Sequence, residues 1–255
     1  MKIERQNIID QEINKQGFVL VPAMSEMLKC SEETIRRDLK EMESQGRLMR
    51  THGGAYLIEN FDKTYPTNLR KAYYHQTKDC LARRAIEHMQ ENDIVMLDSS
   101  TTCLALAEAM IRSQKMLTVI TNSLQICLLC NESNINNINL ICPGGAFRRR
   151  TSSFADQHTI DMLRTYHADR AFISCPKLTV EYGLSDNHLS EARVRETMLK
   201  QSQERYLIVD HTKFNSSANI LFEGLEDTIN TDQKLDEDWE RYIASRGIKV
   251  EYCTE

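Results

Sequence analysis

Residues 31–55, SEETIRRDLKEMESQGRLMRTHGGA, constrain this chain more than any other stretch. Ser31 stands where a helix N-cap belongs, with a hydroxyl able to accept from an orphan amide of the first turn. Ile35, Leu39 and Met42 recur at i, i+4 and i+7, an apolar stripe along one helix face. Glu33, Arg36, Arg37 and Lys40 fall on the opposite face, and Gly46 follows where a glycine stops a helix. Arg47, Leu48, Met49, Arg50, Thr51 and His52 then alternate toward Gly53-Gly54, the pattern of a basic two-stranded wing.

The preceding segment completes the unit. Ile8, Ile9 and Ile13 mark a first helix closing at Gly17, and Phe18-Val19-Leu20-Val21 reads as a short β run. Pro22 can open a second helix with Met24, Met27 and Leu28 inward, and Lys29-Cys30 turns into the third. Two short helices, a tight turn and an arginine-bearing second member form a helix-turn-helix, whose second helix can lie in the major groove of double-stranded DNA. The competing reading is a three-helix interaction module with a solvated charged face. The order of cap, stripe, stop and basic wing favours nucleic acid. The candidate DNA contacts are Ser31, Glu33, Thr34, Arg36, Arg37, Lys40, Arg47, Arg50, Thr51 and His52.

Net charge does not advertise this. The whole chain carries −5, and residues 1–56 hold nine Lys/Arg against nine Asp/Glu. Placement decides, because Arg36, Arg37, Lys40, Arg47 and Arg50 crowd into the third helix and the wing, and phosphates respond to that local field.

At 255 residues and 41% hydrophobic, the chain has room for a small domain and one of ordinary size. No run of 18 apolar residues could span a membrane, and the N-terminus lacks an apolar signal core. The eight cysteines show no framework spacing, and Cys127-Leu-Leu-Cys130 is a lone CxxC inside an apolar helical stretch. Buried free thiols, no metal and a reducing cytoplasm are the expectation.

Residues 57–75 show no sustained period and read as a linker between a head at 1–56 and a second domain at 76–255. In the second domain short apolar runs alternate with helices: strands at Ile94–Leu97, Leu117–Ile120, Asn139–Ile141, Ala171–Ile173 and Tyr206–Val209. Helices fit at 103–111, 124–129, 155–165 and 190–203, with a helix and then a strand over 235–252. This alternation indicates a mainly parallel α/β sheet. Ligands of such sheets sit beyond the carboxyl ends of the strands. Those ends read Asp98-Ser99-Ser100-Thr101-Thr102, Thr121-Asn122-Ser123, Pro143-Gly144-Gly145 with Arg148-Arg149-Arg150, Ser174-Cys175, and Asp210-His211-Thr212-Lys213. Hydroxyls, glycines and cations on five converging loops favour an anionic, hydroxylated small molecule, and a phosphorylated sugar fits best.

TIRRDL at 34–39, its spacing to Gly46, and THGGA at 51–55 resemble the signature of the DeoR family of bacterial transcriptional regulators. The second domain is similar to that family's sensor at LDSSTT 97–102, VITNS 119–123, PGGAFRR 143–149, AFISC 171–175, GLSD 183–186, EARVRETM 191–198 and LIVDHTKF 207–214. The resemblance implies a winged helix-turn-helix domain plus a mainly parallel α/β sensor similar to ribose-5-phosphate isomerase and coenzyme A transferase folds. It further implies a homo-oligomer, dimer or tetramer, that represses carbohydrate-catabolism genes until a phosphorylated sugar relieves it. By that likeness Asp98, Ser100, Thr101 and Thr102, with Ser99 beside them, line the effector site, and Asn122, Gly144, Gly145, Arg148, Asp186 and Lys213 complete it.

The chain departs from the family pattern at Cys30 and Met24 in the head. In the sensor it departs at Ser100, where glycine is common, at Asp156-Gln157, where glycine and proline are common, and at Arg195, where lysine is usual. Arginine stays charged and donates in a fixed fork. Arg195 therefore suits anion binding or a surface pairing with Glu191 at i−4. Two alternatives stay open: a DNA-binding protein with a decayed sensor, and a sugar-phosphate isomerase using carboxylates such as Asp98 and Asp186.

Overall fold

The computed structural model describes residues 2–51, 53–57, 70, 74–133, 136–224 and 227–253. It divides into two compact units, residues 1–74 and 75–255. Of the expected linker, most lies outside the described residues, as does His52.

The head holds helices α1 (Lys2–Gln16), α2 (Val21–Leu28) and α3 (Glu32–Ser44). Three short strands, β1 (Phe18–Leu20), β2 (Met49–Thr51) and β3 (Gly54–Tyr56), form an antiparallel sheet in the order β1-β3-β2. The stripe Ile35, Leu39 and Met42 is buried against Ile9, Ile13, Val21 and Met24. Pro22 sits in the first turn of α2, where its missing amide is no loss. Of the three residues expected inward, Met24 is buried and Leu28 partly so, but Met27 is 53% exposed, because the inner face of α2 runs through Val21, Met24 and Leu28 at i, i+3 and i+7. The wing is a true hairpin, with Thr51 opposite Gly54 and Met49 opposite Tyr56. The β-like run before α2 joins it as a third strand.

The second unit is built on seven parallel strands. They are β4 (Ile94–Leu97), β5 (Leu117–Thr121), β6 (Ile138–Ile141), β9 (Ala168–Ile173), β12 (Ser202–Ile208), β14 (Thr228–Thr231) and β15 (Lys249–Tyr252), in the order β15-β14-β12-β9-β4-β5-β6. Alternate residues of each strand face opposite layers. Val95, Leu97, Val119, Phe172 and Ile208 pack under α4 (His75–Ile86), α5 (Thr101–Ser113) and α6 (Leu124–Glu132). Met96, Ile120, Ala171, Ile173 and Leu207 pack under α7 (Gln157–Leu163), α8 (Leu189–Lys200) and α9 (Glu237–Arg246). Burial on both faces explains why β4 and the final residues of β9 and β12 read as short unbroken apolar runs rather than alternating ones.

Strand β14, sequence TINT, went unread because hydroxyls and an amide occupy positions that are all buried. A hairpin of β7 (Phe147–Arg148) and β8 (Ser153–Phe154) was also missed, as was a small antiparallel sheet of β10 (Lys177–Thr179), β11 (Gly183–Asp186) and β13 (Ile220–Phe222). No helix among the described residues is long and apolar enough to cross a membrane.

Candidate functional site

In the head, Ser31 Oγ accepts from the Thr34 amide at 3.3 Å and meets Thr34 Oγ1 at 2.9 Å, so the two hydroxyls close the start of α3 together. Gly46, at φ +70°, follows the last turn as the stop. The five basic residues then separate. Arg36 pairs with Glu32 at 2.6 Å, Arg47 with Asp10, and Arg50 with Glu43 at 3.4 Å. Arg37 and Lys40 are exposed and, among the described residues, make no hydrogen bond or ion pair. Glu33 shares that exposed face. Thr51 Oγ1 accepts from the Gly53 amide at 3.3 Å and shapes the wing turn.

The interior of the head contains a charge pair that sequence reasoning missed. Asp38, between Arg37 and Leu39, is only 2% exposed and is gripped by both Nε and Nη2 of Arg5. It anchors α1 to α3, and Asp38 raises the Arg5 pKa above its ordinary value. The signal was an acidic residue on the apolar face of the third helix.

In the second unit the residues after the parallel strands gather at the carboxyl edge of the sheet. Asp98 is buried: its Oδ1 accepts from the Ser100 amide at 3.0 Å, and its Oδ2 from Arg195 Nε at 2.6 Å. Ser100 caps α5, accepting from the Cys103 amide at 3.0 Å, with Ser99, Thr101 and Thr102 buried beside it. Arg195, 6% exposed, also donates to Asp186 and lies 3.9 Å from Glu191. It is therefore neither a free anion donor nor a surface residue, but an internal cation between buried carboxylates. Burial alone would lower its pKa; Asp98, Asp186 and Glu191 more than reverse that and hold it raised.

Glu191 itself is 2% exposed and accepts from Ser153 at 2.6 Å, Thr151 at 2.9 Å and Ser99 at 3.4 Å, with Arg148 Nε 3.3 Å away. The β7–β8 hairpin thus delivers Arg148, Thr151 and Ser153 to the first turn of α8. His188, the N-cap residue of α8, also belongs here. Burial lowers its pKa, and so do the nearby charges of Arg148 and Arg150. Neither Glu191 nor His188 was among the expected site residues.

Asn122 is buried after β5, its amide donating to Phe154 O at 2.9 Å while its Oδ1 has no hydrogen-bond partner among the described residues. Gly145 takes φ +112°, and a Cβ there would collide with Thr159 Oγ1 and the Asp156 carboxylate. Thr159 Oγ1 also donates to Gly144 O at 2.7 Å, and Asp156 accepts from the Ala146 and Thr159 amides, each at 2.9 Å. Asp156, a departure from the family pattern, is thus the N-cap of α7 and the clamp on the glycine loop. Lys213 reaches Asp210 at 3.4 Å. Burial would raise the Asp210 carboxyl, but Lys213, Thr212 and the buried Lys78 hold it below its ordinary range. Among the described residues no group of three His, Cys, Asp or Glu could hold a metal.

Residues 5–61 match the DeoR-like helix-turn-helix domain, and residues 74–232 match the DeoR C terminal sensor domain. The L-fucose operon activator of Escherichia coli K12 is 31% identical over 229 residues, 89% of this chain and 93% of that protein. The glycerol-3-phosphate regulon repressor of the same organism is 27% identical over 254 residues, 98% of each. Among solved structures, ribose 5-phosphate isomerase A of Methanocaldococcus jannaschii aligns with a TM-score of 0.40 at 14% identity, over 55% of this chain and 54% of that one. With the sensor model spanning more than half of the sequence and the helix-turn-helix model most of the remainder, the chain belongs to the DeoR family of DNA-binding transcriptional regulators.

Proposed function

We propose that this protein represses carbohydrate-catabolism genes from the cytoplasm, as a homo-oligomer whose grip on double-stranded operator DNA is released by a phosphorylated sugar. The observation that carries the reading is the outer face of α3, where Arg37 and Lys40 stand exposed without partners among the described residues, beside a wing that Arg50 and Glu43 brace. Unpaired cations on a capped helix can meet phosphates or guanine edges without first breaking a bond. Arg36, Arg47 and Arg50 must first trade an internal carboxylate for the DNA.

The effector half rests on the crest of the sheet. The buried Asn122 Oδ1 is an acceptor waiting for a hydroxyl, and Arg148 and Lys213 supply positive charge around the loops at 98–102 and 143–149, with His188 beside them held toward its neutral form. Ser99 and the N-cap Ser100 lead into α5, which Thr101 and Thr102 open and whose first-turn amides suit a phosphate. Arg195 orders Asp98 and Asp186 instead of touching the ligand. Because an arginine held between carboxylates does not shuttle protons, the cluster favours binding over isomerisation. The helix-capping role of Asp156 removes one reason to regard the sensor as decayed. For release, the effector must favour one arrangement of the protein by about 1–3 kcal/mol.

The direct test is protection of the DNA upstream of this gene and its neighbours by the purified protein, alone and with triose, pentose and hexose phosphates. Protection abolished by one sugar phosphate supports the whole reading. Protection strengthened by it would make the protein an effector-dependent binder, and no protection at any concentration would overturn the DNA assignment.

A further inference from the structure

We propose that Glu191 is a built-in competitor of the effector: its carboxylate holds the donors that a phosphate group needs, and the sugar phosphate binds by displacing it. The inference rests on the sensor reading above and adds how that site is regulated. The donors come from separate elements and meet on one buried side chain. From the β7–β8 hairpin, Ser153 Oγ and Thr151 Oγ1 donate to Glu191 Oε1 at 2.6 and 2.9 Å. From the turn before α5, Ser99 Oγ donates to Oε2 at 3.4 Å, and Arg148 Nε lies 3.3 Å from Oε1. Three hydroxyls and a guanidinium aimed at one point make an anion cradle.

Glu191 fills that cradle imperfectly. Arg148 Nε is buried and, close as it is, makes no hydrogen bond among the described residues: the charge is near but the N–H is misaimed. Oε2 is held only by long contacts, 3.4 Å to Ser99 and 3.9 Å to Arg195 Nη2. A carboxylate presents two oxygens in one plane. A phosphate monoester presents three around a tetrahedral centre, enough to take the Arg148 N–H as well as the hydroxyls. A buried donor left without a hydrogen bond is costly, so the cradle gains when an acceptor of that shape arrives.

Position matters as much as shape. Ser99 directly precedes Ser100, the N-cap of α5, so the Glu191 carboxylate stands beside the helix start that suits a phosphate. Two anions cannot share those donors without repulsion. Arg195 gives the displaced carboxylate somewhere to go. It lies 3.9 Å away, beyond hydrogen-bond length, and Glu191 closes that gap by turning from the hairpin toward it. The exchange moves the anchor of the hairpin from α8 to the sugar phosphate. The loop at 143–149 thereby gains two defined arrangements that the effector distinguishes, which a ligand-driven switch requires.

The test is calorimetric titration of the full chain with triose, pentose and hexose phosphates at about pH 8, where these esters are dianions. Glutamine keeps the shape of the side chain but not its charge. E191Q should therefore bind the compound that the parent binds about tenfold more tightly, or better. R148Q should bind it about tenfold more weakly, or worse. A side chain that only braces α8, or one that reads a sugar hydroxyl, would not raise affinity when its charge is removed. Equal or weaker binding by E191Q, with the parent binding normally, overturns the proposal and leaves the sensor reading standing. A parent that binds none of the compounds removes the sensor reading, and the proposal with it. The parent alone supplies a second reading that needs no variant. Titrations in buffers of different ionisation enthalpy should show no proton taken up on binding. Uptake of about one proton per sugar phosphate would mean that Glu191 stays in place as the neutral acid, and displacement would be wrong.

Discussion

Helix α3 of the head and the Arg195 cluster of the sensor treat positive charge in opposite ways. In the head, Arg37 and Lys40 project from α3 into solvent, and Arg36, though paired with Glu32, keeps 46% of its side chain exposed. In the sensor, Arg195 is enclosed by Asp98, Asp186 and Glu191, every member nearly inaccessible to solvent. A displayed cation contributes little to folding and remains available to a polyanion. A buried one fixes the geometry of the carboxylates around it and has nothing left to offer a ligand. Charge at a site is thus evidence of recognition only when its partners have been counted.

The sharpest way to break that contrast is to remove each kind of cation in turn. Arg195→Met should leave three buried carboxylates without their shared counter-charge, at a cost of about 3–5 kcal/mol. Denaturant unfolding of the full chain would report it as a large fall in the midpoint of the sensor transition. If the variant unfolded like the parent, Arg195 would be no internal anchor and could be reconsidered as a ligand contact. Arg37→Ala should do the reverse, leaving the unfolding curve in place while weakening operator binding by about 1–3 kcal/mol and flattening its salt dependence by roughly one phosphate's worth. Arg36→Ala should cost less, because Arg36 already shares its charge with Glu32. Equal losses at both positions, measured by titration of labelled operator, would remove the distinction between free and tethered arginines.

What the sequence made legible follows the same line. The head could be read almost residue by residue, because cap, stripe and stop lie within one helix and obey a local period. Ile35, Leu39 and Met42 are buried, and Ser31 caps, as their spacing required. The sheet was legible as alternating apolar runs for the same reason, except at β14, whose Thr228, Asn230 and Thr231 are buried polar residues. The carboxylate cluster was not legible. Asp98 lies 97 residues from Arg195 and meets it only because the sheet order places β4 beside β9, against which α8 packs; Asp186 is nine residues from Arg195 but on a strand that the sequence did not announce. Glu191 lay inside a motif already singled out, but nothing local distinguishes a buried acceptor of three hydroxyls from a first-turn glutamate facing water.

Local reading also makes a smaller prediction about the head. Ser31→Ala removes the acceptor for the Thr34 amide and should destabilise the head by about 1 kcal/mol, whereas Ser31→Gly should cost only a few tenths. Thermal unfolding would separate the two. Identical losses would mean that the hydroxyl pair with Thr34, rather than the cap itself, holds the start of α3.

The smallest effect belongs to a pair intermediate between the two extremes. Lys213 keeps 22% of its side chain exposed, while Asp210 beneath it keeps 1%. Burial favours the protonated acid, yet Lys213, Thr212 and Lys78 together hold the Asp210 carboxyl below its ordinary value. A carboxyl depressed in the folded state adds stability that is fully present above the ordinary carboxylate pKa, and that stability is lost as pH falls through the folded value. Lys213→Met should therefore leave stability at neutral pH reduced by about 1 kcal/mol or less, since Lys78 remains and the lysine is partly solvated. Acid unfolding should begin at a higher pH than in the parent, because the remaining groups hold the carboxyl less firmly. An unchanged acid limb would show that Lys78 and Thr212 suffice to keep Asp210 ionised. Lys213 would then belong with Arg37 and Lys40, a displayed cation kept for a ligand, and not with Arg195.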